Sequence, residues 1–365
     1  MYTVRFLCLV CSGTLALTAA WAAGPHAASA AAPTTLVVVN QGDETLGAFR
    51  VHAATGRLSP ATPPSQPTDP NPYAVIADPA GRWLWVTHGD ASNVVAFIRD
   101  PATSAITRAA AAPVPTGDYA VGATVDPTGR FLYVMTMLAN AVVAYEIGDG
   151  ARLTPIQGSP FAAGGRPSGS AIDPAGRYFY ATNLTSGNIS GYAIDPQSGA
   201  LAPLPSSPFK AGTNPRAIAL DPAGQHAYVV NAVSNSVSQY AVDAGSGRLT
   251  PLAQDSVPTG RNPRAIVVEP RGRFAYVACY DSGRIWAYRI DPGSGALRPL
   301  KRQLFAAGKG PRGLAVDARG SFLYAANNGS ASISGYRIHP VTGALSPLPG
   351  SPYATGKGPF AIAVF

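Results

Sequence analysis

From about Thr35 onward, short apolar runs alternate with polar stretches rich in Gly, Pro, Asn and Asp, and the alternation recurs as a unit. The unit beginning near residue 214 shows its parts: RAIALD, HAYVVN, SVSQYAVD and RLTPLAQ. Runs this short, carrying β-branched and aromatic residues and bounded by turn formers, predict β-strands. No stretch beyond the first thirty residues offers an amphipathic helix of useful length.

The first two strands of each unit are joined by a repeated turn. It reads DPAGRWLWVTH at 78, DPTGRFLYVMT at 126, DPAGRYFYATN at 173, DPAGQHAYVVN at 221, EPRGRFAYVAC at 269 and DARGSFLYAAN at 317. In such a turn the Asp caps, Pro presets φ and Gly accepts a positive φ, so these carboxylates read as hairpin punctuation rather than catalysts. The turns are spaced by 48, 47, 48, 48 and 48 residues. A period near 48 with four strands per unit predicts a propeller.

A second hairpin joins strands three and four: ATGRL, DPQSGAL, DAGSGRL, DPGSGAL and PVTGAL, with looser versions at PATSAI and GDGARL. That makes seven copies, one more than the first turn. An aromatic on strand three likewise recurs seven times, at Phe49, Phe97, Tyr145, Tyr192, Tyr240, Tyr288 and Tyr336. The missing first strand lies at the far end, in GPFAIAVF, where Phe365 falls 48 residues after Asp317. The count predicts an all-β, seven-bladed propeller of four-stranded antiparallel blades in a single domain over 31–365. Its closing blade combines N-terminal strands from about Thr35 with the C-terminal strand Pro359–Phe365, which leaves no open edge between first and last blades. The strand-three aromatics and their strand-two partners (Trp85, Tyr133, Tyr180, Tyr228, Tyr276, Tyr324) are expected to fill the gaps between blades.

Composition adds a compartment. MYTVR, the apolar FLCLVCSGTLALTAAWA and the small-residue AAGPHAASAAAP have the three-part form of a secretory leader, so residues 1–30 read as signal peptide and spacer. Cleavage after Ala22 or after Ala30 satisfies the small-x-small rule equally. A periplasmic or secreted destination follows, with no membrane attachment after cleavage. Cys8 and Cys11 leave with the leader, so Cys279 stands alone and the mature chain forms no internal disulfide. The formal net charge of +8 is spread over the repeats without a basic run, which argues against nucleic-acid binding. A monomer without cofactor or metal is expected: His52, His226 and His339 are too dispersed to make a ligand set.

Antiparallel order sorts the remaining variation onto one face. Strand-two ends (Asn40, His88, Thr136, Asn183, Asn231, Cys279, Asn327) share that face with strand-one starts (Tyr73, Val121, Ser168, Arg216, Arg264, Arg312, Phe360). A variable mouth over a repeated frame is where binding is expected. Charge on this face is polarised. Asp43, Glu44, Asp69, Asp90 and Asp118 belong to early repeats, whereas Arg216, Arg261, Arg264, Arg284, Lys309, Arg312 and Lys357 belong to late ones, with Asp281 the exception. Two roles stand open for the arginines: bracing neighbouring blades through loop carbonyls, or contacting a ligand.

The unit NPRAIALDPAGQHAYVVNAVSNSVSQY resembles the YVTN-type propeller repeat and the seven-bladed lactonase family, which includes enzymes of the 6-phosphogluconolactonase and carboxy-muconate cyclase types. The resemblance spans the mature chain. In the enzymatic members it implies Pro-Arg-His at a strand-one start, Asn-Glu after the following strand two and a His-rich start in the preceding blade. Arg216 and Asn231 match, but Ala217, Ala232 and Ser168 stand where His, Glu and the His-rich position belong. The equivalents of the Glu in all blades are Gln41, Gly89, Met137, Leu184, Ala232, Tyr280 and Asn328, none of them a carboxylate.

Lactone opening needs a base, and His88, beside Asp90, is the one His on this face. It is the sole substitute base, as an exposed-loop residue. Cys279 is either a reactive thiol or a small strand-end filler. The leading expectation is binding of a small anion (sugar acid, carboxylate or phosphate) or of a protein partner through Arg216, Arg264, Arg312, Asn231 and Ser168. A lactone hydrolase or a cyclase is the alternative, and a pure interaction scaffold is a third.

Overall fold

A computed structural model describes residues 34–365; the leader, its two cysteines and both cleavage positions lie outside the described residues. Seven separate antiparallel sheets follow one another along the chain. The blade whose parts were read from residue 214 consists of Pro215–Leu220, His226–Asn231, Ser236–Val242 and Leu249–Pro258, from the innermost strand outward. In four of the blades the outermost strand is split into two short pieces, as in Leu201–Pro203 and Phe209–Lys210. Proline has no N–H to donate, and the outermost strand is an edge that tolerates it, as the four prolines of the continuous Leu58–Pro67 show.

The ring closes as the repeat count requires. Thr35–Asn40 pairs on one side with Thr45–Val51 and on the other with the C-terminal strand Pro359–Val364, in register Leu36 to Val364 and Val38 to Ile362. Thr35 and Phe365 exchange both backbone hydrogen bonds, at 2.8 and 3.1 Å.

Burial is organised by seam. Seven apolar clusters each join two adjacent blades, for example Phe131, Tyr133 and Met135 against Phe179, Ala181 and Tyr192. Every seam therefore takes apolar surface from both of its blades out of water.

The aromatics fill the seams as expected and also bond across them. The hydroxyls of Tyr133, Tyr180, Tyr228, Tyr276 and Tyr324 donate to the carbonyls of Gly199, Gly247, Gly295, Gly343 and Gly56, each in the next blade, at 2.6–2.9 Å. Strand-three tyrosines reach the other way: Tyr240 and Tyr288 donate to the Lys210 and Pro258 carbonyls at 2.6 and 2.7 Å. Each such bond satisfies a buried carbonyl that would otherwise be costly.

The turn aspartates do what the repeat implies. Asp126 Oδ1 accepts the backbone N–H groups of Arg130 and Phe131 at 2.7 Å each, while Gly129 takes a φ of 75°. On this turn face arginines do brace neighbouring blades. Arg130 donates to the Pro196 and Gln197 carbonyls at 3.1 and 3.0 Å, Arg177 to the Ala244 carbonyl at 2.8 Å, and Arg337 to the Ala54 carbonyl at 3.0 Å.

Candidate functional site

On the opposite face each innermost strand begins with an extra residue. Pro215 pairs with Asn231 and Ala217 with Val230, so Arg216 is the unpaired residue of a β-bulge. The same shift falls at Tyr73, Arg264, Arg312 and Phe360, and around Ser168. A bulge breaks the alternation of faces and re-aims a side chain. Here it sends Tyr73, Ser168, Arg216, Arg264, Arg312 and Phe360 toward the axis, whereas Val121 is buried in a seam cluster. Where strand two carries a Thr, that side chain serves the disturbed backbone: Thr182 Oγ1 accepts from Gly169 N at 3.1 Å and donates to the Arg216 carbonyl at 3.2 Å. The inner strands also run close together. A Cβ on Gly169 would lie 2.3 Å from the Arg216 carbonyl oxygen, so glycine is required there.

The result is an axial cavity of about 330 Å³, whose polar lining includes Tyr73, Ser168, Ser170, Arg216, Arg264 and Arg312, with Phe360 beside them. A wider mouth of about 700 Å³ shares Tyr73, Arg216, Arg312 and Phe360 and adds Gln41, Asn71, Tyr119, Met137, Leu138, Arg166, Leu184, Thr185 and Asn214. Neither lining contains a carboxylate or a histidine.

Unlike the turn-face arginines, Arg216, Arg264 and Arg312 make no ion pair and bond no backbone carbonyl among the described residues. Arg312 lies over the Phe360 ring at 3.5 Å and Arg264 over the Tyr280 ring at 5.3 Å. The Nε atoms of Arg216 and Arg264 are buried without a partner. Burial, then the charge of Arg264 and, more weakly, those of Arg312 and Arg166, push Arg216 down to about 10, against an opposing contribution from Tyr73. Burial lowers Arg264 and Arg312 as well; Tyr73 opposes in both, and the carboxylate of Asp281 also opposes in Arg264. Such a cluster carries a positive local potential at the axis. Of the early-repeat carboxylates, Asp69 is engaged with Arg108 and Asn93, and Asp90 accepts from Asn71 on the rim of the mouth.

Of the residues singled out from the sequence, the structure brings Arg216, Arg264, Arg312 and Ser168 to one cavity. Asn231 and His88 it keeps out. Strand-two ends share the mouth's face, but their side chains turn inward, and all seven are at most 1% exposed. Asn231 is a bracket. Its Nδ2 donates to the Ser236 and Ser238 hydroxyls at 3.1 and 2.9 Å, and its Oδ1 accepts from Gly212 N at 3.1 Å. His88 is a buried residue, not a loop residue; its Nε2 lies 2.6 Å from Thr68 Oγ1, its Nδ1 has no partner, and burial pushes it down to about 4. Cys279 is the filler rather than a reactive thiol, with burial pushing it up to about 11.

Sequence reasoning missed Tyr119 and Arg166. Both precede a strand-one start, and both have positive φ, 64° and 57°. Aligning the repeats would have found them, because the column otherwise reads Asn71, Asn214, Asn262, Gly310 and Gly358.

Comparison with known proteins places this architecture. A family model described as lactonase, seven-bladed β-propeller, matches residues 17–122, 112–208 and 202–362. No curated protein matches the chain in sequence. Among solved structures, a provisionally assigned 6-phosphogluconolactonase of Bacteroides uniformis superposes with a TM-score of 0.81 at 18% identity, covering 92% of this chain and 100% of its own. The periplasmic gluconolactonase of Pseudomonas aeruginosa gives 0.78 at 20% identity, with 91% and 98% covered. Hydrazine synthase of Kuenenia stuttgartiensis gives 0.61 at 20% identity, with 80% and 89% covered. At such identities the likeness is one of fold, and a fold shared this widely does not fix a reaction.

Proposed function

The chain belongs to the lactonase family of seven-bladed β-propellers, and on that footing we propose that it is an exported propeller that binds a small anion at its arginine-lined mouth. A sugar acid, another carboxylate or a phosphate ester fits the chemistry. The observation that carries this reading is the convergence of Arg216, Arg264 and Arg312 on one cavity without ion pairs, two of them with a buried, unpartnered Nε. Guanidinium forks match carboxylate and phosphate oxygens in bidentate fashion. The cavity is open rather than plugged by side chains, which favours ligand binding over a pure scaffold. The secretory form of residues 1–30 supports export to the periplasm or beyond.

Lactone hydrolysis is the second reading, favoured by the family and by the names of two structural neighbours. It needs a base to activate water, and neither cavity lining contains a carboxylate or a histidine.

One experiment separates the two. Melting temperature is measured with gluconate, 6-phosphogluconate, citrate and phosphate, beside hydrolysis of glucono-δ-lactone. A ligand present at about 100 times its Kd stabilises by about 2.7 kcal/mol. Arg264→Ala removes that shift and leaves the unliganded melt nearly unchanged. Absence of a shift with every anion rejects the binding reading, and robust lactone turnover moves the protein to the hydrolase reading.

A further inference from the structure

The residue before each innermost strand adopts the left-handed region at all seven blades, and in five it is the Asn or Gly that tolerates it. Tyr119 and Arg166 are the exceptions, and they sit in adjacent blades on the same rim. A bulky residue held at positive φ costs stability and persists only where something offsets it.

For Tyr119 the offset is within the protein. Its ring is packed against a seam cluster, and its hydroxyl lies 3.0 Å from Asn71 Nδ2, which donates to it. Arg166 has no such return. It is exposed, its Nη2 finds only the thioether sulfur of Met137 among the described residues, at 3.4 Å, and its charge acts against that of Arg216. Backbone strain, like-charge repulsion and a weak acceptor all oppose an arginine at this place.

We infer that Arg166 is a specificity-determining residue that recognises a second negative group on the ligand, so that the mouth selects dianions over monoanions. This rests on the anion-binding reading: the group nearer the axis meets Arg216, Arg264 and Arg312. A second carboxylate or a phosphate at the rim would meet Arg166, offsetting the repulsion from Arg216 and supplying the strong acceptors that Met137 is not.

The test compares three probes sharing one six-carbon polyol chain: gluconate with one carboxylate, glucarate with two, and 6-phosphogluconate with a carboxylate and a phosphate. Calorimetry on the wild type is expected to show at least one dianion binding more tightly than gluconate. Arg166→Asn, the residue that blades at 71, 214 and 262 use, is expected to weaken that dianion by about tenfold or more while changing gluconate much less. Its unliganded melting temperature is expected to rise, since strain and repulsion are both relieved. Arg166→Lys, which keeps the charge and the strain, is expected to retain part of the preference without the gain in melting temperature. The inference is overturned if the wild type binds gluconate and both dianions alike, if Arg166→Asn keeps the preference, or if that variant melts lower than the wild type. A wild type that binds none of the three rejects the anion-binding reading itself, a different result from any of these.

Discussion

His88 is expected to make the stability of this propeller sensitive to mild acid. The residue is 0% exposed at the end of the second strand of its blade, where Asn40, Asn183, Asn231 and Asn327 stand in others. Burial, only partly countered by the charge of Asp69 and by Asn93, brings its pKa from 6.5 down to about 4. The unfolded chain therefore binds a proton between those values that the folded one refuses. The stabilising contribution is complete above pH 6.5, declines as the pH falls toward 4, and is lost below both values. At about 1.36 kcal/mol per pKa unit, the gap from 6.5 to about 4 amounts to roughly 3 kcal/mol.

Other groups also titrate in this range, so the assay must be differential. Urea unfolding of wild type and His88→Asn is followed from pH 7.5 to 3.5. The variant is expected to fold, because an Asn here can bracket Asn93 as Asn183 brackets Asn188, at 2.8 Å. Asn93 Oδ1 is buried and lacks a partner, so it is ready to accept such a bond. The stability difference between the two proteins is expected to shift by about 3 kcal/mol toward the variant across the window. Parallel pH profiles would show that His88 accepts a proton in the folded state at its ordinary value, and the argument from burial would fail.

Two further predictions test the frame. Deleting Pro359–Phe365 removes the inner strand that pairs with Thr35–Asn40, together with the buried Phe360 and Ile362; aggregation or loss of the folded state is expected, and a truncated chain melting at the wild-type temperature would refute the closure. Tyr228→Phe leaves the Gly295 carbonyl without its donor across the seam, so a loss of about 1–3 kcal/mol is expected in denaturant unfolding, and an unchanged midpoint would remove the cross-seam bonds from the stability argument.

The fold was legible because the signals that set it are local and repeated. Asp, Pro and Gly at fixed spacing dictate a turn by side-chain capping and allowed φ alone, and the offset between turn and hairpin counts located the closing strand. The site was legible in part. Arg216, Arg264 and Arg312 were found by position along the strand, which was enough to assign the face. Asn231 shares that face and even pairs through its backbone with Pro215, next to Arg216, yet its side chain is buried. The difference is the bulge, a register shift that no residue type in these strands announces. Arg166 was hidden for the opposite reason: its signal is a departure from a column, visible only when the seven repeats are laid over one another.

Why charge collects at the strand-one starts follows from what the frame asks of each position. Strand-two tyrosines must fill a seam and reach a carbonyl, turn aspartates must cap, and strand-two asparagines must bracket a hairpin, so each has little freedom. The residue at the bulge has left the ladder and, Val121 apart, faces the axis, where no neighbouring strand demands a particular shape. Ser168, Arg216, Phe360 and Tyr73 are all accommodated there. Stability alone does not select arginine there, since burial first, and repulsion from Arg264 after it, lower the pKa values of Arg216 and Arg312. Three arginines in successive blades, with a fourth on a strained rim residue, therefore bring costs of burial and repulsion, set against the contacts of Arg312 with Phe360 and of Arg264 with Tyr280. Negative charge is the chemistry that would offset that cost, and the anion titrations test whether it does.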